Sequence, residues 1–185
     1  MLHLLIRAIS IILLLAISPI LLVIAFLIII EDGYPVFFIQ KRVGINNIHF
    51  NIYKYRTMKK DMPDIPTHLV VHDNHYTSIG PFLRKYSMDE LPQLLNIAKG
   101  DMTFIGPRPS LYNQHDLIQL RTKFGIHKLI PGITGWAQVN GRDELSIQEK
   151  VRMEKYYLKN QSIMLDLKII FLTIIKVLKS ESVIG

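Results

Sequence analysis

Two adjacent acidic residues, Asp89 and Glu90, stand at the start of an amphipathic segment that reads SMDELPQLLN over residues 87–96. Carboxylates can accept phosphoryl groups covalently, and they are among the oxygen ligands that Mg²⁺ prefers. Leucines recur at helical spacing after the two acids, and Pro92 lacks an N–H group and fits a first turn, so a helix is predicted to begin close to Asp89. Because N–H groups at a helix N-terminus bind phosphate oxygens, the pair is a candidate site of phosphoryl chemistry.

The same segment also fits a purely structural interpretation. Ser87 and Glu90 match the S-x-x-E capping box, in which both side chains satisfy N–H groups at the start of a helix. Acidic residues also stabilise the positive end of any helix dipole. Spacing alone favours this structural interpretation, so the phosphoryl interpretation requires phosphate ligands elsewhere in the chain.

Two arginines are candidate phosphate ligands. Arg108 stands between prolines in Gly106–Pro109, and the prolines leave its backbone few conformations. A guanidinium held in this way is a pre-positioned fork for a phosphate group. Arg84 lies in a predicted short helix, Ile79 to Tyr86, that ends just before the acidic pair. Both arginines are therefore predicted to bind substrate.

A second loop, PGITGWAQVNGR over residues 131–142, offers contacts to a nucleotide. Its glycines allow a close approach of the backbone to a ligand. The loop is not a Walker A motif, because the chain contains no G-K-[ST], and no G-x-G-x-x-G motif is present either. The polar side chains predicted to bind the nucleotide are Thr134, Gln138, Asn140 and Arg142.

A β-hairpin is predicted from residues 36–43 and 48–55, which are rich in β-branched and aromatic side chains and are separated by GINN. Such a hairpin is expected to bring four cations close together, and a solvated strand face is the other interpretation of these basic residues. The four cations are Lys41, Arg42, Lys54 and Arg56, and the last two are predicted to bind substrate.

The apolar segment Ile11 to Ile30 has about the length needed to cross a bilayer. It is too long for a cleaved signal peptide, and no small-residue cleavage site follows it. Its default interpretation is a spanning helix, in which proline is tolerated. Ser18 and Pro19 near its centre offer an alternative, because a sharp bend there returns the chain to the side from which it came.

Composition narrows the function classes. The chain has 185 residues, enough for one domain and an appendage, and its formal net charge of +7 suits nucleic acid, anionic lipid or a phosphorylated substrate. It contains no cysteine, which excludes disulfides, thiolate metal sites and a cysteine nucleophile. His72 and His75, three positions apart in a polar stretch, are a possible metal pair without a third ligand nearby, and a surface loop is the other interpretation.

Residues 163–179 are predicted to form an amphipathic helix with Lys168, Lys176 and Lys179 on one face. Packing of its apolar face against the domain is one interpretation. Its bulky apolar face and lysine rim also fit a helix that lies in the membrane interface.

Six ordered motifs make the chain resemble one family, the bacterial sugar transferases. These are the monotopic phosphoglycosyl transferases that start capsule, O-antigen and glycoprotein glycan assembly. The resemblance runs from the apolar segment to about Lys179. The motifs are QKRVG, FNIYKYRTM, SMDELPQLLN, KGDMTFIGPRP, PGITGWAQVNGR and YYLKN followed by LDLKII.

The resemblance implies a mostly helical α+β fold at the cytosolic face of the bacterial inner membrane. Residues 1–32 would form a re-entrant membrane helix, and residues 33–185 a small catalytic domain that ends in the interfacial helix at 163–179. This implication reverses the preference for a spanning helix. Family members often carry Lys-Arg followed by Asp ahead of the apolar segment, and this chain has only Arg7 there. The residues expected at the membrane and lipid phosphate are Arg7, Ser18, Pro19, Lys41 and Arg42.

The activity implied by the resemblance is the transfer of a sugar-1-phosphate from a UDP-sugar to polyprenyl phosphate, with release of UMP and a requirement for Mg²⁺. Asp89 would be the nucleophile that carries the phosphosugar, and both Asp89 and Glu90 would be metal ligands. Membrane lipid is an expected partner and nucleic acid is not, while an oligomer is allowed. The other hypotheses are transfer by direct displacement, with Asp89 as base or metal ligand, and a non-catalytic membrane-anchored anion-binding module.

Overall fold

The structure, a computed structural model, describes residues 2–60, 75–141 and 144–179. The described chain is mostly helical, with a small sheet and one apolar N-terminal helix, which confirms the predicted fold class in its coarse form. The elements are α1 Leu2–Asp32, β1 Phe37–Val43, β2 His49–Tyr55, α2 Gly80–Lys85, a 3₁₀ turn at Met88–Gln93, α3 Leu94–Lys99, β3 Thr103–Ile105, β4 Ser110–Leu111, α4 His115–Lys123, β5 Gly132–Thr134, α5 Trp136–Val139, α6 Ile147–Asn160 and α7 Ile163–Lys179.

The predicted hairpin is confirmed. Strands β1 and β2 pair antiparallel from Phe37 opposite Tyr55 to Val43 opposite His49, and a short 3₁₀ turn connects them. Strand β4 pairs with the other edge of β1, so the sheet order is β2-β1-β4. A second sheet consists of β3 and β5 in parallel.

The expected cluster of four cations on the hairpin is wrong. Lys54 pairs with Phe38, whereas Lys41 pairs with Asn51, because the antiparallel register offsets the two basic stretches by three positions. Each cation has its own partner instead. Lys41 lies over the Tyr112 ring, Arg42 donates to the Pro109 carbonyl, Lys54 binds Glu90 and Arg56 binds Asp32.

The predicted start of a helix close to Asp89 is confirmed, but the first turn, Met88–Gln93, is 3₁₀ and the first α-helical residue is Leu94. Pro92 has no N–H to donate to the carbonyl four residues earlier. The capping-box interpretation is wrong, because Ser87 has a positive φ of 53° and makes no capping bond. A capping box does occur elsewhere, between Ser146 and Glu149 at the start of α6.

Helix α1 packs along the domain with one face and exposes the other. Ile24 and Ile28 are buried against Tyr55 and its neighbours, while Leu14 and Ile17 pack on a second cluster around Leu94. Burial of each such side chain stabilises the fold by roughly 1.5–3 kcal/mol. By length and composition, residues 3–32 suffice to cross a membrane, and the opposite face of α1 is a row of exposed leucine, isoleucine and phenylalanine side chains.

Polar contacts attach both ends of α1 to the same domain. Near its start, Arg7 Nε donates to the Ala98 carbonyl at 2.8 Å. At its end, Arg56 Nη1 lies 2.7 Å from Asp32 Oδ2. The helix is continuous through Pro19, and the Ser18 hydroxyl donates to the Leu15 carbonyl at 2.8 Å. That carbonyl is the one to which an N–H at position 19 would have bonded.

Helix α7 is anchored on the domain by two polar contacts. The Tyr157 hydroxyl of α6 donates to Asp166 at 2.8 Å, and the hydroxyls of Thr173 and Thr134 share a hydrogen bond of 2.7 Å. Ile169 is fully buried, and most apolar side chains on the opposite face are exposed. The helix has the bounds that the sequence predicted.

Candidate active site

Glu90 is the point at which three elements meet. One of its carboxylate oxygens, Oε1, lies 2.7 Å from Lys54 Nζ and 3.0 Å from Arg108 Nη2. Lys54 comes from β2 and Arg108 from the loop between β3 and β4. Glu90 is only 7 % exposed, so the two cations neutralise a carboxylate that water hardly reaches. Burial lowers the pKa of Lys54, and the neighbouring Glu90 carboxylate opposes that shift.

Asp89 is half-buried and lies within the electrostatic reach of the same groups. Burial raises the pKa of its carboxyl, and the negative charge of Glu90 raises it further. Lys54, Arg84 and Arg108 act in the opposite direction. An ionised Asp89 is therefore costly in this site until positive charge is added or its own charge is used in a bond.

Arg84 lies in the last turn of α2, within electrostatic reach of Asp89. Its guanidinium packs 5.4 Å from the centre of the Tyr76 ring, and Nη1 donates to the Tyr76 hydroxyl at 3.3 Å. The aromatic ring limits the conformations of the arginine side chain. Arg84 thus presents a restrained positive charge to the Asp89 carboxylate.

Arg108 is positioned by a buried ion pair that sequence reasoning missed. Arg121 of α4 donates to Glu154 of α6, with 2.8 Å between Nε and Oε2, and its Nη2 also donates to the Arg108 carbonyl at 2.9 Å. Arg121 and Glu154 are 7 % and 2 % exposed. They lie 33 positions apart, so only the packing of α4 on α6 brings them together.

The first Gly-rich loop, which contains Gly106–Pro109, crosses the second loop, residues 131–142, and their backbones are in direct contact. A Cβ atom on Gly106 would lie 2.4 Å from the Ile130 carbonyl oxygen, and one on Gly132 would lie 2.1 Å from the Gly106 nitrogen. Only glycine fits at such distances. The crossing places the arginine of the first loop beside the polar residues of the second.

A cavity of about 480 Å³ opens next to Glu90 and Arg108. It lies between α1, the 3₁₀ turn, the second loop and α7, and its walls are mainly apolar. Pockets of this size hold small-molecule substrates. The lining includes Leu13 and Ile17 of α1, Gln138 and Thr134 of the second loop, and Lys176 and Val177 of α7.

The second loop contributes two of its four predicted residues to this cavity. Thr134 and Gln138 line it, and both amide atoms of Gln138 are buried with no hydrogen-bond partner among the described residues. Asn140 is exposed and donates to the Trp136 carbonyl at 2.7 Å instead. Arg142 lies outside the described residues.

The predicted lipid-phosphate cations do not line the cavity. Arg7 is at the other end of α3, where it contacts Ala98, and Arg42 supports the first loop through the Pro109 carbonyl. Lys41 packs on Tyr112. Arg56, which was predicted to bind substrate, closes the end of α1 by donating to the carbonyls of Asp32 and Gly33.

No cluster of three metal-binding side chains occurs in residues 2–60, 75–141 and 144–179, and His68 and His72 lie outside those ranges. Asp89 and Glu90 remain the candidate ligands for Mg²⁺. This ion keeps several waters and typically binds one or two carboxylates together with substrate phosphates. The residues fit such an ion, since burial and the neighbouring Glu90 charge raise the pKa of Asp89, and added positive charge would favour the ionised form.

A family model described as "Bacterial sugar transferase" matches residues 3–180. The chain is 45 % identical over 156 residues to "Uncharacterized sugar transferase EpsL" of Bacillus subtilis, covering 83 % of the chain and 75 % of that relative. It is 41 % identical over 177 residues to "Undecaprenyl-phosphate glucose phosphotransferase" of Komagataeibacter xylinus, covering 89 % of the chain. It is also 40 % identical over 171 residues to "UDP-glucose:undecaprenyl-phosphate glucose-1-phosphate transferase" of Escherichia coli K12, covering 88 % of the chain. It spans 33 % and 37 % of the lengths of the latter two proteins.

Proposed function

The chain belongs to the bacterial sugar transferase family, as its motifs predicted, and we propose that it transfers a sugar-1-phosphate from a UDP-sugar to polyprenyl phosphate, normally undecaprenyl phosphate. The products are polyprenyl-diphosphate-sugar and UMP. The names of its relatives, two of which are undecaprenyl-phosphate sugar-phosphate transferases, support this reaction. The reaction would be the first membrane step in the synthesis of a surface glycan.

The observation that carries the proposal is the environment of Asp89. Its carboxylate lies beside Glu90 and is influenced by Lys54, Arg84 and Arg108. Two anions must meet when a carboxylate attacks a diphosphate, and fixed positive groups lower the cost of that encounter. A purely structural acidic turn would not need three converging cations.

The proposed chemistry has two steps. An Asp89 carboxylate oxygen attacks the sugar-linked phosphorus, so that an O–P bond forms, the bond to the bridging oxygen breaks and UMP leaves with that oxygen. An oxygen of polyprenyl phosphate then attacks the same phosphorus, and the Asp89 carboxylate leaves. Neither step requires a net proton transfer, because each leaving oxygen keeps its negative charge.

The chain's own residues orient and neutralise the reacting groups. Arg108 offers a fork for the diphosphate, and Glu90 keeps both Lys54 and Arg108 in place. Mg²⁺, when bound at Asp89 and Glu90, would supply further neutralisation of the phosphates. Chelation should therefore stop turnover, and added Mg²⁺ should restore it.

We further propose that α1 is re-entrant and that the domain lies on the cytosolic face of the inner membrane. The domain binds α1 near residue 7 and again at residue 32. If α1 spanned a hydrocarbon layer about 30 Å thick, the domain that packs along it between these two points would have to lie inside that layer. The exposed apolar faces of α1 and α7 support burial in lipid on one side of that domain.

The direct test is a panel of UDP-sugars incubated with the purified protein and undecaprenyl phosphate. UMP release together with a diphosphate-linked lipid product is expected for at least one sugar. If no UDP-sugar yields either product while the protein still binds anionic lipid, the non-catalytic anion-binding hypothesis takes its place. Charge reversal at Asp89 provides a second discrimination, because it should abolish catalysis but strengthen simple anion binding.

A further inference from the structure

We propose that the cavity between α1 and α7 is the acceptor site, in which Ile17, Leu13 and Val177 hold the first isoprene units of the lipid and Lys176 binds its phosphate. This inference rests on the proposed function and assigns part of that site. Lys176 lies on α7, far in sequence from the acidic pair and from both Gly-rich loops. No motif singled it out as a phosphate ligand.

The walls of the cavity continue the membrane-facing surfaces of the two helices. Leu13 and Ile17 line the cavity, while Ile12 and Leu15 on the adjoining face of α1 are exposed. On α7 the lining residues Thr173, Lys176 and Val177 likewise alternate with the exposed Phe171, Ile174 and Leu178. Apolar side chains of both helices therefore continue from the outer face to the wall of the cavity, an arrangement that suits a lipid chain.

The chemistry of the lining suits an isoprenoid phosphate better than a nucleoside. A uracil and a ribose together need many hydrogen-bond partners, and the cavity has mainly apolar walls. The charged residues of its lining are Arg108, Lys176, Glu90 and Glu144. Glu90 is already paired with Lys54 and Arg108, and the two cations are the groups that match a phosphate. The buried amide of Gln138, which has no hydrogen-bond partner within the described parts of the chain, is one polar group that could contact a phosphate or sugar oxygen.

The geometry of phosphoryl transfer explains why the two substrates would share only part of the site. Attacking and leaving oxygens lie roughly in line across the phosphorus. Asp89 occupies one side in both steps, first as the attacking group and then as the leaving group. UMP must therefore depart on the side from which the acceptor phosphate later attacks. The phosphate position and Arg108 serve both substrates, whereas the apolar walls contact only the lipid.

The experiment compares Lys176→Gln and Ile17→Trp with the wild type in two assays. One measures the KM for the UDP-sugar and the UMP released without acceptor, and the other measures the KM for undecaprenyl phosphate. We expect the acceptor KM to rise by about tenfold or more in each variant, the effect of ~1.4 kcal/mol. For Ile17→Trp we expect the UDP-sugar KM and the UMP released without acceptor to stay within about twofold of wild type, because Ile17 contacts only the lipid. Lys176→Gln should raise the UDP-sugar KM as well, because the phosphate position is shared by both substrates. Retention of the donor step also shows that Ile17→Trp is folded.

Two matched controls are available on the same helices. Lys179→Gln removes a lysine of α7 that is exposed and does not line the cavity. Ile12→Trp places the same bulky side chain on the outer face of α1, where Ile12 is 65 % exposed. Both controls should leave the acceptor KM unchanged.

The outcomes separate failure of this inference from failure of the proposed function. If the cavity variants raise the KM for the UDP-sugar and leave that for the acceptor unchanged, the cavity is the donor site and the inference is wrong. If neither KM changes, an ordinary membrane lipid or no ligand occupies the cavity, and the inference is equally wrong. If the wild type itself forms no lipid product with any UDP-sugar, the proposed function fails first.

Discussion

Lys54 donates a hydrogen bond to Glu90, with 2.7 Å between Nζ and Oε1, and both side chains are largely buried. Arg108 uses the same carboxylate oxygen at 3.0 Å. Glu90 is thus more than a candidate metal ligand, because it holds together a strand and a substrate-binding loop. The site depends on this carboxylate for its shape as well as for its charge.

The first prediction concerns stability. Glu90→Gln leaves the buried Lys54 ammonium without its counter-charge, and breaking a buried ion pair typically costs about 3–5 kcal/mol. We expect a loss near the lower end of that range, because part of the Lys54 side chain still reaches water. Replacing Lys54 by Met in the same chain should recover much of the loss, since the buried ammonium is then gone and only the more exposed Arg108 still lacks the Glu90 charge. Urea unfolding in detergent measures both changes, and equal losses in the single and double variants would contradict the account.

The second prediction concerns pH. Burial and Glu90 raise the pKa of Asp89, so its ionised form, which is the nucleophile, should be lost at a higher pH than for an ordinary aspartate. The rate of the donor step should therefore fall as the pH is lowered, and Glu90→Gln should move this acid limb of the pH–rate profile to lower pH. The pH profile of UMP release in the two proteins checks the direction.

The same shift has a consequence for folding. A carboxyl whose folded-state pKa is raised contributes stability below its unfolded-state value and loses that contribution as pH rises through the folded-state value. Asp89→Asn should therefore be more stable than wild type at neutral pH, and the difference should close in strong acid. A less stable Asp89→Asn variant at neutral pH would show that the surrounding cations outweigh the burial of the carboxylate.

The third prediction concerns the Arg121–Glu154 pair. Arg108→Lys keeps the charge but loses the fork, so the rate should fall about tenfold or more, equivalent to ~1.4 kcal/mol. Glu154→Gln should also lower the rate, because Arg121 then holds the Arg108 carbonyl less firmly. In the Arg108→Lys background the Glu154 substitution should add little further loss of rate. Additive losses in the double variant would instead indicate a general effect on the fold.

The fourth prediction concerns topology. The chain contains no cysteine, so single cysteines at His3 and Ile48 can be labelled without background. Both positions should show the same protection from a membrane-impermeant reagent added outside the cell. Replacing Ser18 and Pro19 by Ala and Leu should favour a spanning helix, because it restores backbone bonding at the centre of α1. Labelling of position 3 alone from the periplasm in the unmodified chain would establish a spanning helix.

Local patterns predicted the elements well. The hairpin differs from its predicted limits by one residue at the start of each strand, and α7 has its predicted bounds, because both have strong hydrophobic periodicity and clear ends. The central helix begins close to Asp89, as predicted, but its first turn is 3₁₀ rather than α-helical, because the positive φ of Ser87 and the missing N–H of Pro92 together favour a 3₁₀ turn. These backbone features leave only a weak signal in the residue types.

Contacts between distant segments were largely beyond prediction. The expected cation cluster failed because register depends on the turn between the strands. The Arg121–Glu154 pair and the position of Lys176 at the cavity arise from helix packing. Neither a sequence motif nor hydrophobic periodicity predicts such contacts. The sequence did predict that Asp89, Arg84 and Arg108 would belong to one site. The resemblance implied a carboxylate nucleophile at Asp89, and arginines are the side chains expected to bind the phosphates that it attacks.

The most direct test of the account is the reaction of the protein with UDP-sugar alone. If Asp89 carries the phosphosugar between two steps, UMP should appear before any lipid is added, in an amount approaching one equivalent of enzyme. Intact-protein mass spectrometry should then find one added sugar phosphate on the peptide that contains Asp89. Asp89→Asn should show neither the burst nor turnover, because its amide is a far poorer nucleophile. An adduct on Glu90 would exchange the two roles, whereas fast turnover with lipid in the absence of any burst or adduct would contradict the covalent mechanism and establish direct displacement.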